Sequence, residues 1–230
     1  MTHILCLETA TEICSAALSA DAECIACEEV SEGHSHAEKL LELIGRCLQK
    51  GQCDIASVDA ICVSSGPGSY TGLRIGVSTA KGLCYALSKP LIAVQTLEGI
   101  ANGARQAFPD ADRYCPMINA RRMEVYCALY DPQGNQLTEC TNIIVDENSF
   151  AEELQQQRIL FCGNGAAKCE PVIRHGNALF HDIRCSARNL IPSAFRRWQQ
   201  RQFEDVAYFE PFYLKAFIAG KPHVKGLEMP

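Results

Sequence analysis

HILCLETATEICSAALSADAECIACEEV, residues 3–30, decides the reading of the fold, because it parses into three short strands with no helix between them. His3 to Glu8 is an apolar run ending in a carboxylate, residues 13–20 form a second run, and Glu23 to Val30 a third. Asp21-Ala22 supplies a tight connection, so the three strands predict an antiparallel meander. A helix over 35–50 comes next: Ala37, Leu40, Leu41, Leu43, Ile44 and Leu48 recur at helical spacing, and Gly51 follows as a C-cap. Ala60 to Ser64 is a short apolar run ending in a glycine loop, 71–87 reads as a helix, and Leu91 to Val94 as a strand after Pro90. Strand, helix, strand implies a parallel crossover. A further helix from about Thr96 to Ala107 runs into a boundary at Pro109, Asp110 and Asp112.

Beyond that boundary the pattern begins again, with strands at Cys115 to Ala120, Met123 to Tyr130 and near Ile143 to Val145, past a turn at Pro132, Gly134 and Asn135. At an offset of 111 residues Glu8 falls on Asn119, Thr9 on Ala120, Cys14 on Val125, Ala16 on Cys127, Ala17 on Ala128 and Leu18 on Leu129. Two halves, 1–109 and 110–230, each opening with a meander and continuing into helix and parallel strand, describe a duplicated two-lobed α/β fold of the actin-like, sugar-kinase-like kind. Nucleotides in that fold sit in the cleft between the lobes. The C-terminal helix or tail is expected to pack back on the first lobe.

With 230 residues, 47% of them hydrophobic and 21% charged, the chain has the composition of a folded protein rather than a disordered one. A net charge of −6 provides no global attraction to phosphates, so service to RNA would run through another chain. Neither a basic, apolar leader at the N-terminus nor a run of roughly 18 apolar residues is present, and the expected location is the cytoplasm. Fourteen cysteines would suggest disulfides in a small secreted chain. Here Cys6, Cys14, Cys62, Cys84, Cys127 and Cys162 fall inside apolar runs, where a free thiol behaves as a small buried hydrophobe.

The glycine loop Ser65-Gly66-Pro67-Gly68-Ser69-Tyr70-Thr71-Gly72-Leu73-Arg74-Ile75-Gly76 is neither a Walker A motif, since Leu73 and Arg74 follow Gly72, nor a dinucleotide fingerprint, since its third position is Thr71. Its amides lead into a helix N-terminus, so it either holds an anion or is a tight turn capped by Ser69; the turn is the plainer reading. Beyond it Gly72, Gly76 and Ala80 recur every four residues, a flat helical face that either packs on this protein's own sheet or first helix or receives another chain.

Cys24 and Cys27, with His34 and His36 nearby, suggest a zinc site, but three-residue spacing on a strand sends the two thiols to opposite faces. Arg196, Arg197 and Arg201 read as a solvated helix face rather than a phosphate site. No Ser/His/Asp arrangement is visible, and no catalytic base is named.

Glu8-Thr9-Ala10-Thr11, the glycine loop, Ile118-Asn119-Ala120-Arg121-Arg122-Met123-Glu124-Val125-Tyr126 and the closing Phe212-Tyr213-Leu214-Lys215 together resemble the TsaB (YeaZ) family, over nearly the whole chain. The resemblance implies an actin-like fold and a role in threonylcarbamoyladenosine formation beside the tRNA anticodon, as the partner of the catalytic relative TsaD, in work that also involves TsaC and TsaE. TsaD uses ATP and a metal held by His-x-x-x-His; His3, His34, His36, His175, His181 and His223 contain no such spacing. It also implies a TsaD-binding surface on the first two helices, through His36, Leu40, Ile44, Gly72, Ile75, Gly76, Thr79 and Ala80, which Gly76→Leu would disrupt, and possible homodimers through the same helices. Gly66, Pro67, Gly68, Ser69, Thr71 and Arg74 are then structural. No intrinsic cofactor is expected, although Glu8, Thr9, Asn119 and Arg121 mark a candidate cleft and ATP or ADP is expected at the complex interface. Glu8 and Asn119 stand where the family usually has aspartate, which weakens self-sufficient phosphoryl chemistry. The competing reading is an enzyme of the same fold, a small-molecule kinase or a metallopeptidase.

Overall fold

β1 (His3–Glu8), buried from Ile4 to Glu8, is the middle strand of a five-stranded sheet in the computed structural model, which describes residues 1–31 and 36–214. It pairs antiparallel with β2 (Cys14–Ala20), which pairs antiparallel with β3 (Glu23–Val30). On its other side lie β4 (Ala60–Ser64) and then β5 (Leu91–Val94), both parallel. α1 (His36–Lys50) and α2 (Tyr70–Leu87) cover one face, where Leu40, Leu43, Ile44, Cys47, Val77 and Ala80 pack on Leu5, Leu7 and Leu18. Ser35, the expected start of α1, lies outside the described residues, as do His34, Lys215 and His223.

The second half repeats this plan. β6 (Arg113–Asn119) is the middle strand, flanked antiparallel by β7 (Glu124–Cys127) and β8 (Thr141–Ile144) and, after the short α4 (Ala151–Gln156), parallel by β9 (Ile159–Cys162) and β10 (Ala178–His181). The order β8-β7-β6-β9-β10 reproduces β3-β2-β1-β4-β5. Two details differ from the sequence reading. Ser15 stands opposite Glu8 and Val125 opposite Asn119, so the second lobe's first turn is one residue shorter and Ser15, not Cys14, corresponds to Val125. β7 ends at Cys127 rather than Tyr130, because the Leu129 amide turns to the Thr138 hydroxyl at 2.9 Å.

The chain after each sheet crosses to the other. α3 (Thr96–Ala107) places Leu97, Ile100, Ala101 and Ala104 against Tyr114, Ile118 and Leu160 of the second sheet. A short helical turn at Ala187–Leu190 and α5 (Ile191–Gln199) return to the first sheet, where Leu190, Ile191 and Ala194 pack on Ile4, Cys6, Ala60, Cys62 and Ile92. Each large apolar side chain buried there contributes roughly 1.5–3 kcal/mol. Where the helices meet, Asn102 Nδ2 donates to the Asn189 carbonyl at 3.1 Å and to Ser193 Oγ at 2.9 Å. Arg196 and Arg201 are exposed as expected, but Arg196 and the half-buried Arg197 also donate to the buried Glu98 carboxylate, at 2.7 Å from Arg196 and 2.7 and 3.0 Å from Arg197.

All fourteen cysteines are free, and the six assigned to apolar runs are buried. No helix among the described residues is long and apolar enough to cross a membrane.

Candidate interlobe cleft and partner-facing helices

Glu8 and Thr9, where β1 runs out toward the seam between the lobes, are both fully enclosed. Glu8 Oε1 accepts from Ser64 Oγ at 2.6 Å and from the Ala10 amide at 2.7 Å. Burial pushes its carboxyl above the usual carboxylate range, and the hydrogen bonds from Ser64, Ala10 and Cys185 only partly offset that. Thr9 Oγ1 donates to the Gly72 carbonyl. These side chains tie β1 to β4 and α2, and none is left open to the cleft.

Asn119 and Arg121 occupy the matching place at the end of β6, both exposed. Asn119 Oδ1 accepts from the Arg121 amide at 3.1 Å and from Lys168 Nζ at 2.7 Å, while Lys168 also donates to the carbonyls of Arg122 and Glu124. Burial lowers the Lys168 pKa, as expected for an ammonium held chiefly by carbonyls. Asn119 thus organises the β6–β7 turn. Glu8 and Asn119 share no contact in the hydrogen-bond network; the lobes meet instead through Asn164, whose Nδ2 donates to Glu12 Oε2 at 2.7 Å and whose Oδ1 accepts from the Asn119 amide at 3.0 Å.

Sequence reasoning missed Asn164, Glu12 and Lys168, although one signal was available. Gly163-Asn164-Gly165 follows β9 as Gly66-Pro67-Gly68 follows β4. Gly66 and Gly163 both take left-handed angles, φ +111° and +91°, and the second glycine of each pair presses on the end of its own lobe's first strand, Gly68 on Ala10 and Gly165 on Ile118 and Asn119.

The loop after β4 behaves as the capped turn. Ser69 is the N-cap, its Oγ accepting from the Gly72 amide at 3.2 Å, and the Ser69 amide itself donates to the Ala10 carbonyl at 2.6 Å. The chain's last described residues close over it: the Phe212 amide donates to the Ser65 carbonyl at 2.7 Å, and Tyr213 lies on Tyr70 at 4.7 Å with the Arg74 guanidinium 4.2 Å above the Tyr70 ring. The cleft beside it, lined by Thr11, Glu12, Ile13, Asn164 and Cys185, measures about 170 Å³. Sites for drug-sized ligands run to roughly 300–1,000 Å³. Glu8 is sealed and the Asn119 side-chain oxygen is committed to its turn, so neither side chain faces that cavity.

The expected partner face needs correction. Leu40, Ile44 and Ala80 lie in the core between the helices and the sheet, and Gly72 and Gly76 are buried against Thr9, where an added Cβ would strike its carbonyl and hydroxyl. His36 is half-buried, its Nε2 2.9 Å from the Thr11 carbonyl. Of the expected set only Ile75 and Thr79 reach the outer surface of α2, both half-exposed. They are joined there by Ser78, Gly82 and Tyr85, which is 85% exposed, and on α1 by Leu41 and Gly45; the space above both glycines is open.

Cys24 and Cys27 do not point to opposite faces of β3 as their spacing predicts. A bulge places Leu18 opposite Ala26 but Ser19 opposite Cys24, so Cys24 and Cys27 pair with Ser19 and Ala17 and share one face of β3. Among the described residues no group of three or more potential ligands surrounds them or any other point.

A duplicated actin-like protein with an interlobe seam closed by its own side chains is the class that this fold and site define. The family model of TsaD, tRNA N6-adenosine threonylcarbamoyltransferase, matches residues 25–215. The Escherichia coli tRNA threonylcarbamoyladenosine biosynthesis protein TsaB is 31% identical over 95% of this chain and 97% of its own length. A crystal structure of a Pseudomonas aeruginosa protein with similarity to peptidase YeaZ superposes with a TM-score of 0.83 at 26% identity, covering 94% of this chain and all of that one. At the level of fold alone, the activator of 2-hydroxyisocaproyl-CoA dehydratase from Clostridium difficile, solved with ADPNP, matches with a TM-score of 0.55 at 10% identity over 87% of this chain and 97% of its own. The chain belongs to the TsaB (YeaZ) family of tRNA threonylcarbamoyladenosine biosynthesis proteins, within the TsaD-like superfamily.

Proposed function

We propose that this chain acts in threonylcarbamoyladenosine formation as the non-catalytic partner of a TsaD-type transferase, docking through the outer faces of α1 and α2. The observation that carries this reading is the state of Glu8. The carboxylate that would serve a kinase of this fold is buried and bonded to Ser64 and Ala10, so it is not aimed at a substrate. On the outer faces of α1 and α2, the exposed Leu41 and Tyr85 and the bare Gly45 and Gly82 offer a surface that another chain can approach closely.

In this reading ATP or ADP is bound where the two subunits meet rather than in the cleft by Asn164. TsaC supplies the threonylcarbamoyl adenylate, TsaE joins the assembly, and tRNA is met through the partner, in keeping with a chain of charge −6. Without its partner the chain pairs with itself through the same helices.

The test is transfer of threonylcarbamoyl to tRNA with each subunit alone and with both, after co-purification of this protein with its TsaD subunit. Transfer that needs both supports the partner role. Transfer by TsaD alone overturns it, and turnover by this chain alone restores the enzyme reading.

A further inference from the structure

The bulge in β3 brings two thiols together. By pairing Cys24 with Ser19 and Cys27 with Ala17, it makes the two thiols neighbours on one face of an edge strand. Their partners Ser19 and Ala17 are two residues apart, about 6.6 Å along a strand, at the long end of the Cα separation a disulfide bridges, and a bulge bends the strand locally. The pair is also asymmetric in access. Among the described residues Cys24 is the one exposed cysteine, its Sγ 3.5 Å from the Ala26 carbonyl, while Cys27 is half-buried with its Sγ 3.8 Å from Ser186 Oγ. Burial and the neighbouring Cys27 raise the Cys24 pKa, which Arg188, on the turn that leads into α5 and hydrogen-bonded to Cys27, only partly offsets, so exchange at Cys24 calls for alkaline conditions. A cavity of about 420 Å³ is lined by Ser186 and Arg188, the two neighbours of Cys27, although neither thiol lines it.

We propose that Cys24 and Cys27 form a reversible dithiol–disulfide couple, closed by exchange with a low-molecular-weight disulfide. The Cys24 thiolate attacks one sulfur of the small disulfide, forming a mixed disulfide and releasing one small thiolate. Cys27 then loses its proton to solvent and attacks the Cys24 sulfur, releasing the second thiolate. Two protein thiols are oxidised, one small disulfide is reduced to two thiols, and a reducing thiol reverses the sequence. Ten of the other cysteines are buried, and burial pushes Cys14 to about 11 and Cys84 to about 12; Cys53 and Cys140 are half-buried and lie elsewhere in the chain.

The full-length protein is incubated with oxidised glutathione at mildly alkaline pH, and the intact mass, free-thiol count and cysteine-containing peptides are determined. The expected result is loss of two thiols, no retained glutathione and a Cys24–Cys27 cross-linked peptide that dithiothreitol removes. Cys27→Ser should trap glutathione on Cys24, and Cys24→Ser should leave the Cys27 peptide without glutathione, since that thiol is half-buried. A wild-type protein that keeps glutathione on Cys24, links different cysteines, or does not react overturns the proposal. Circular dichroism of both variants separates a failed exchange from a failed fold.

Discussion

Thr9 Oγ1 donates a 2.8 Å hydrogen bond to the carbonyl of Gly72, 63 residues away, with both groups buried. That bond docks the first turn of α2 on the end of β1, and Gly72 and Gly76 permit it because any side chain there would meet Thr9.

Gly76→Ala should therefore lower stability by about 1–3 kcal/mol, and Gly76→Leu by more, through overpacking against Thr9. Urea denaturation of the isolated chain checks this; an unchanged midpoint would show that the helix moves aside freely. Loss of TsaD binding in Gly76→Leu would report damage inside this chain, so that variant does not test the interface.

Gly45 and Gly82 behave oppositely. Replacing either with Ala should raise stability by about 0.5–1 kcal/mol, because each lies in a helix with open space above it. Gly82→Trp should leave the fold intact and weaken TsaD binding at least tenfold, about 1.4 kcal/mol, by calorimetric titration. Full affinity in a folded Gly82→Trp protein would move the partner off α2.

How far the sequence was legible follows from which interactions are local. The strands of the first lobe were readable because their apolar runs are nearly continuous, and α1 because Leu40, Leu43, Ile44 and Leu48 mark its inner face. The inward turn of Gly72 and Gly76 was not, since small side chains look alike whether they meet Thr9 or another protein. The bulge at Cys24 was hidden for a related reason: period-two counting assumes regular pairing, and one extra residue reverses its answer. Asn164 was invisible as a bridge because its partners Glu12 and Asn119 come from distant strand ends.

Glu98 should make stability depend on pH. Its burial raises its pKa, but Arg197 and Arg196 outweigh this and hold it below the ordinary value. A depressed folded-state pKa gives stability that is present above the unfolded carboxylate value of about 4.3 and lost as pH falls through the lower folded one. Glu98→Gln should cost about 1.5–3 kcal/mol at neutral pH, mostly through Arg197 because Arg196 is half-exposed, and should flatten the acid limb of a plot of melting temperature against pH. A parallel limb in the variant would assign acid sensitivity to another group.

Glu8 carries the opposite sign. Its pKa is raised, so its favourable contribution is complete below about 4.3 and disappears as pH rises through the folded value. Glu8→Gln keeps an oxygen for Ser64 and Ala10 without the charge, and should melt higher than the wild type at neutral pH while retaining partner-dependent transfer. A lower melting temperature together with lost transfer would return Glu8 to the reacting centre.

α3 and α5 are exchanged between the lobes: each half of the chain encodes a sheet and a helix that covers the other half's sheet. Neither half on its own could bury both faces of its sheet, so the two lobes are bound to unfold as one cooperative unit rather than as two independent domains.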